Sequence, residues 1–172
     1  LLQNNERSFV SLMHANNELG TLTDMEKVGD LCEQYNAIYH ADTVQTMGHY
    51  ALDVRKVKAH FVVCAAHKLH GPKGVGFLYV SHTIKIPPMI YGGAQERNMR
   101  GGTENVYGIV GLAKALEIAY GEMEQHQNHI QELKDYMKAQ LLARIPGIAF
   151  NGETAADKRL YTVLNVSFPA MD

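Results

Sequence analysis

Two cysteines in 172 residues are too few for a disulfide framework, which excludes the small, stapled, secreted class. No apolar run approaches the roughly 20 residues that cross a bilayer; the longest stretches resemble Phe61-Val62-Val63-Cys64-Ala65-Ala66, and no membrane span is predicted. Neither sign of charge is in excess: the net charge is −2, scattered along the chain rather than gathered into a basic face. Nucleic-acid binding through phosphate neutralisation is therefore not expected. The first residues, Leu1 to Arg7, lack the cationic start and apolar core of a secretion signal, so a reducing cytoplasm is the expected setting. The chain opens without an initiator Met and stops at Phe168-Pro169-Ala170-Met171-Asp172, and it reads as a fragment.

What is present is ordinary globular material, 46% hydrophobic and 20% charged, enough for one domain with a real core. Ser8 to Met13 reads as a buried strand running into Asn16-Asn17. Thr23 with Glu26 forms a capping-box pattern, and Met25, Val28, Leu31, Cys32 and Tyr35 recur at helical spacing. Ala37 to Asp42 and His60 to Ala65 read as further strands, so the alternation predicts a parallel sheet. Phe77 to Val80 resumes strand character after the turn-rich Gly71-Pro72-Lys73-Gly74-Val75-Gly76. Glycine-rich loops at Gly92-Gly93 and Gly101-Gly102 are of the kind that lets backbone approach a ligand. A helical stretch then runs from about Val106 to Ile145, with a bend at Gly121 and a stop at Pro146-Gly147. Ile148 to Asn151 and Tyr161 to Ser167 read as two strands joined by a charged loop.

In an open parallel sheet, ligands bind beyond the carboxyl ends of the strands. Three such ends carry Asn16-Asn17, His40-Ala41-Asp42-Thr43-Val44-Gln45 and His67-Lys68, so amides, a carboxylate, an imidazole and an amine are predicted to share one rim. A lysine just after a buried strand can lose solvation and become a nucleophile towards an aldehyde; the competing reading is a solvated surface lysine. Asp42 suits pairing with a protonated pyridine nitrogen, or else serves as a turn residue. His40, His67 and His70 lack the Cys pair or His-Glu helix motif that would complete a zinc set, and no metal site is predicted. Cys32 and Cys64 read as packing residues.

Four stretches, taken together, carry a resemblance. They are Met13-His14-Ala15-Asn16-Asn17-Glu18-Leu19-Gly20, His40 to Gln45, Ala66-His67-Lys68-Leu69-His70-Gly71-Pro72-Lys73-Gly74-Val75-Gly76, and Gly92 to Asn105. In that order they resemble the cysteine desulfurases, within the class V aminotransferase family of fold type I pyridoxal-phosphate enzymes. The resemblance implies an α/β fold, a partial large domain with a mostly parallel sheet flanked by helices. Residues 1–105 would belong to the cofactor-binding domain, 106–145 to a connecting helical segment, and 146–172 to the beginning of a small C-terminal α+β domain.

By the same resemblance Lys68 is the Schiff-base lysine, Asp42 the partner of the pyridinium nitrogen and Gln45 the donor to the ring's phenolic oxygen. Asn17 would contact cofactor and substrate, His67 would help bind the cofactor, and Thr103 would reach the phosphate of the other subunit's cofactor in a homodimer. The implied reaction removes sulfur from L-cysteine, leaving alanine and a persulfide for a sulfur-acceptor or scaffold protein in iron–sulfur cluster or thiocofactor assembly. Three positions depart from the family pattern: Ala65 stands where a phosphate-binding Ser is usual, Gly101 where Ser is common, and Ala94 where Gly is frequent. The family's persulfide Cys, substrate-carboxylate Arg and ring-stacking His have no counterpart here, and neither Cys32 nor Cys64 occupies the nucleophile's place. The alternatives are a selenocysteine lyase or another class V lyase or transferase, and, from a different class, a non-catalytic module for dimer or partner contacts.

Overall fold

The computed structural model describes residues 1–4, 7–153 and 155–169, so Asn5 and Glu6 of the leading segment and Ala170 to Asp172 of the closing one lie outside the described residues. A four-stranded sheet of order β1-β2-β3-β4 organises the chain, built from β1 (Phe9–Met13), β2 (Ile38–Asp42), β3 (Phe61–Ala65) and β4 (Gly76–Val80). The first three strands are parallel and β4 runs antiparallel to β3. A parallel return needs a crossover of about a dozen residues or more; the stretch from Ala66 to Val75, part of it wound into a 3-10 turn, is too short for that, so β4 doubles back.

Helix α1 (Met25–Gln34) and the single turn α2 (Val54–Val57) cross between the parallel strands. The cap of α1 is Asp24 rather than the expected Thr23, with its carboxylate accepting from the Lys27 amide at 3.0 Å. Thr23 is held before the helix because its N–H already donates to the His14 carbonyl, 2.7 Å away. The buried stripe of α1 is Met25, Gly29 and Cys32, while Leu31, expected on the same face, is exposed. Gly29 is there because α2 lies so close that an ideal Cβ would sit 2.0 Å from the Val57 carbonyl oxygen.

The long helical stretch is two helices, α3 (Val106–Gly121) and α4 (Met123–Arg144), broken at Glu122. The bend falls where the sequence placed it. Leu112 of α3 joins Met25, Cys32, Val57, Tyr39, Ala41, Val62, Cys64 and Leu69 in one core cluster, so α1, α2 and α3 cover a single face of the sheet.

At the C-terminal end only Ala149–Phe150 (β5) and Val166–Ser167 (β6) pair, antiparallel. The strand expected from Tyr161 onward is shorter because its first residues serve another contact. The Leu160 amide donates to the Gly20 carbonyl at 2.7 Å, Leu22 donates to Lys158 at 2.9 Å, and Thr21 bridges Arg159, so Leu160 and Tyr161 are buried against the loop after β1.

Candidate active site

The register Met13 with Asp42, and Asp42 with Val63, brings the carboxyl ends of β1, β2 and β3 to the same edge of the sheet. Beyond them the loops are stitched together: the His14 amide donates to the Asp42 carbonyl at 2.8 Å, and Thr43 uses both its amide (3.2 Å) and its hydroxyl (2.7 Å) on the Val63 carbonyl. Thr43 is buried, so the segment carrying Asp42 and Gln45 is tied to the strand that leads to Lys68.

Each expected residue can be placed. Asp42 ends β2, half-buried, and one of its oxygens accepts from the Val44 amide at 2.9 Å. Gln45 is half-buried one turn further on. Lys68 lies in the 3-10 turn Ala66–Leu69 directly after β3, anchored by buried Ala66 and Leu69 and closed by the His70 amide on the Ala66 carbonyl. His70 adopts a left-handed φ of 63° to make that closure. His67 and Lys68 are the exposed members of the turn, so the dry setting that would activate the amine is not made by the described residues. Asn16 shapes the β1 loop, its side-chain oxygen accepting from the Glu18 and Leu19 amides, and this leaves Asn17 exposed with its amide on Glu18. Five of the six residues therefore sit on loops leaving one rim. Thr103 is exposed in the loop before α3, and among the described residues no hydrogen bond joins it to the others.

The glycine-rich loops do something the sequence did not suggest. They pack on each other: the Gly101 amide donates to the Ile90 carbonyl at 2.8 Å, and a Cβ on Gly101 would fall 2.6 Å from the Gly92 nitrogen. A serine there has no room, which accounts for the glycine.

Cys32 and Cys64 are free and buried, and burial raises both thiols, Cys64 to about 11. Neither is a thiolate near neutral pH. His40 is engaged on the sheet face, its Nδ1 2.9 Å from Ser11 Oγ and its ring stacked on Phe9. Among the described residues no group of three or more His, Cys, Asp or Glu could hold a metal ion, and no helix is long and apolar enough to cross a membrane.

Sequence reasoning missed two histidine contacts. His14 Nδ1 lies 2.8 Å from Thr46 Oγ1, and burial pulls its pKa down to about 4. His49 Nδ1 lies 2.6 Å from the Tyr161 hydroxyl. The partners are 32 and 112 residues apart, and no local pattern announces such pairs. A cavity of about 590 Å³ is lined by His14, Asp24, Tyr50 and Asp53 among others, and none of the six expected residues borders it.

Residues 2–172 match the family described as aminotransferase class-V. The chain belongs to that family. Within it, similar relatives include a cysteine desulfurase IscS of Clostridium botulinum, 41% identical over 163 residues, covering 95% of this chain and 41% of the relative. Another, from Dictyoglomus turgidum, is 42% identical over 159 residues, covering 92% and 40%. Among solved structures, a NifS-like protein from Rickettsia africae aligns with a TM-score of 0.90 at 30% identity, over 98% of this chain and 46% of that one. A second NifS-like protein gives 0.87 at 39% identity, over 94% and 44%. The chain thus spans about two fifths of the length of the curated relatives it matches, and the class V fold it shares with them is a mixed, mainly parallel sheet with helices.

Proposed function

We propose that this chain carries the lysine-bearing part of a pyridoxal-phosphate-dependent cysteine desulfurase, which takes sulfur from L-cysteine and leaves L-alanine. The observation that carries the reading is positional: Lys68 stands in the first turn after β3, and Asp42 ends the neighbouring strand β2, at the same rim. Relatives named as cysteine desulfurases, 41–42% identical over this region, support the same substrate. The donor set fits the cofactor: an amine, a carboxylate, an amide and an imidazole on adjacent loops, with no competing metal set among the described residues.

When bound, pyridoxal phosphate supplies an electron sink at its protonated pyridine ring. Asp42 would hold the positive charge at the ring nitrogen, its own position steadied by the Val44 amide. Gln45 would donate to the phenolic oxygen, His67 and Asn17 would pack about the cofactor, and Thr103 would reach the phosphate across a homodimer. Lys68 would hold the cofactor and then move protons at its Nζ. Ala65 gives the phosphate no hydroxyl; it precedes the turn without a side-chain cap. The sulfur must go to a thiolate other than Cys32 or Cys64, since both are buried and protonated. From there an acceptor or scaffold protein would take it, in a reducing cytoplasm, for iron–sulfur cluster or thiocofactor assembly. In this reading 1–105 is part of the cofactor-binding domain, 106–145 the connecting helical segment and 146–172 the start of the small domain.

The exposure of Lys68 favours one competing reading, a module kept for dimer or partner contacts that binds no cofactor. Absorbance decides. With pyridoxal phosphate added, the wild-type chain is expected to develop a yellow band that Lys68→Ala abolishes and Asp42→Asn weakens. A band unchanged in Lys68→Ala overturns the assignment of the lysine, and no band in wild type at excess cofactor leaves the non-catalytic reading. Alanine release from cysteine against selenocysteine separates a desulfurase from a selenocysteine lyase.

A further inference from the structure

The first residue after β1 grips both ends of the segment that carries Asp42 and Gln45. At the near end the His14 amide donates to the Asp42 carbonyl, 2.8 Å away. At the far end its imidazole Nδ1 lies 2.8 Å from the Thr46 hydroxyl oxygen, and Thr46 directly follows Gln45. Between these points the chain is wound into a turn, with the Thr46 and Met47 amides both donating to the Thr43 carbonyl at 2.9 and 2.8 Å. Thr43 is buried and tied to β3, whereas Val44 and Gln45 are half-buried. Among the described residues no hydrogen bond holds the Gln45 side chain, so the backbone on either side of it sets its direction.

The far contact is dry. Thr46 is buried, and the gap that His14, Thr43, Thr46 and Tyr50 help to line has no room for a water molecule. The Thr46 hydroxyl has one other partner, the Thr43 carbonyl at 3.3 Å, which already accepts two amides. Losing the imidazole would therefore leave a buried hydroxyl poorly paired, with no solvent to replace the bond. The ring is steadied by Tyr50, with ring centroids 5.9 Å apart and planes at 59°. Burial pulls the imidazole pKa down to about 4, so the ring is neutral near neutral pH. In either neutral tautomer Nδ1 finds its complement in a hydroxyl, which both donates and accepts.

We infer that His14, acting through Thr46, is a positioning residue for Gln45. The bond at Asp42 belongs to the backbone and survives any substitution but proline, whereas the bond at Thr46 is a property of the imidazole. Asp42 is thus held by the fold itself, and Gln45 by one side chain reaching across from the neighbouring strand. The inference rests on the reading in which Gln45 donates to the phenolic oxygen of pyridoxal phosphate. In that reading His14 sets the reach of the donor without touching the cofactor.

Amide hydrogen exchange tests the grip without any cofactor, and the pH profile of the cofactor band tests its consequence. His14→Leu and Thr46→Val each delete the far contact, and each is expected to speed exchange of the Met47 amide about fivefold, the size of one net hydrogen bond. The Val44 amide, which donates to the Asp42 carboxylate at the near end, and the amides of β2 and β3 should be unchanged. His14→Asn, whose amide takes the place of Nδ1 and can donate or accept, should restore most of the protection. With pyridoxal phosphate bound, a donor on the phenolic oxygen favours its ionised form, so Gln45→Ala should move the pH midpoint of the Lys68-dependent band. His14→Leu should move it in the same direction and add little on top of Gln45→Ala, because both act through one side chain. Unchanged Met47 exchange in both His14→Leu and Thr46→Val overturns the inference, as does a rise shared equally by the whole sheet. So does a midpoint that Gln45→Ala moves and His14→Leu leaves in place. A wild-type chain without a band, or a midpoint that Gln45→Ala does not move, overturns the functional reading instead, and Met47 exchange then decides the grip.

Discussion

The two faces of the central sheet are made from the same strands and have opposite fates. Tyr39, Ala41, Val62 and Cys64 point to the helices and are fully or nearly fully buried. Their strand neighbours point the other way, where directly paired residues share a face: Phe9 remains 61% exposed, Met13 40% and Leu78 50%. That bare face also carries Ser11, His40 and, at its rim, Asp42. The covered face carries the core, with only Leu12 of the edge strand β1 left 42% exposed among the residues paired there, whereas the bare one mixes apolar side chains with the carboxylate to which the proposed function gives a role. In the proposed reading, stability falls to one side of the sheet and chemistry to the other, and substitutions on the two sides should behave differently.

The largest difference is expected at Tyr39, which has no exposed surface and sits between α1 and the strands. Tyr39→Ala should cost on the order of 3–5 kcal/mol, the range for emptying a buried aromatic site. A shift of the urea midpoint at unchanged slope measures it. A cost under about 1 kcal/mol would mean that the covered face is no better packed than the bare one.

The covered face was also the legible one. Short apolar-rich runs, Ile38 to Asp42 and the unbroken Phe61 to Ala65, with turn residues between, fix strand identity, because short buried strands are what such runs report. The rim followed from the same logic, since polar residues at three strand ends have nowhere else to go. What could not be read depends on distance in sequence. Asp24 displaced Thr23 as the cap because a backbone bond to His14 claimed Thr23 first. Tyr161 left its expected strand because Leu160 and Arg159 pair with the loop at Gly20 and Thr21. Gly101 is forced by Gly92, across a loop. In each case a partner beyond the reach of local periodicity decided, nine residues away for Thr23 and Gly101 and far more for Leu160, and no local pattern encodes it.

Acid should reveal the covered side through His14, whose burial lowers its pKa to about 4 while the unfolded chain keeps the ordinary value near 6.5. Between those values the unfolded state binds the proton and the folded state resists it, so this contribution is intact above about pH 6.5 and is lost as the pH falls towards 4. From pH 7.5 to pH 5 the loss should be about 2 kcal/mol from His14 alone. Burial lowers His49 as well, so it acts in the same direction. Urea midpoints at the two pH values check the slope, and His14→Gln should remove the His14 share. A slope unchanged in that variant would mean that His14 is solvated.

A smaller effect, of opposite sign, is expected at Tyr39 itself. Its hydroxyl is buried and has no hydrogen-bond partner among the described residues, and burial pushes its pKa up to about 12. An unpaired buried hydroxyl costs free energy that a ring without it does not. Tyr39→Phe should therefore raise stability by about 1 kcal/mol, seen as a melting temperature higher by roughly 2–4 °C. A lower melting temperature would show that the hydroxyl has a partner in solution.

The smallest change in stability should come from the bare face. Phe9 touches the rings of His40 and Phe61 at 6.3 Å each but leaves most of its surface in solvent. Phe9→Ser removes those two contacts without opening a cavity, so the cost should be about 0.5–1 kcal/mol, several times less than Tyr39→Ala. Because Phe9, Met13 and Leu78 lie on one exposed face, the same substitution should lower self-association of the chain, read by light scattering at matched concentration. A cost near that of Tyr39→Ala would show that something covers this face in solution, and Asp42 at its rim would then share the covered environment.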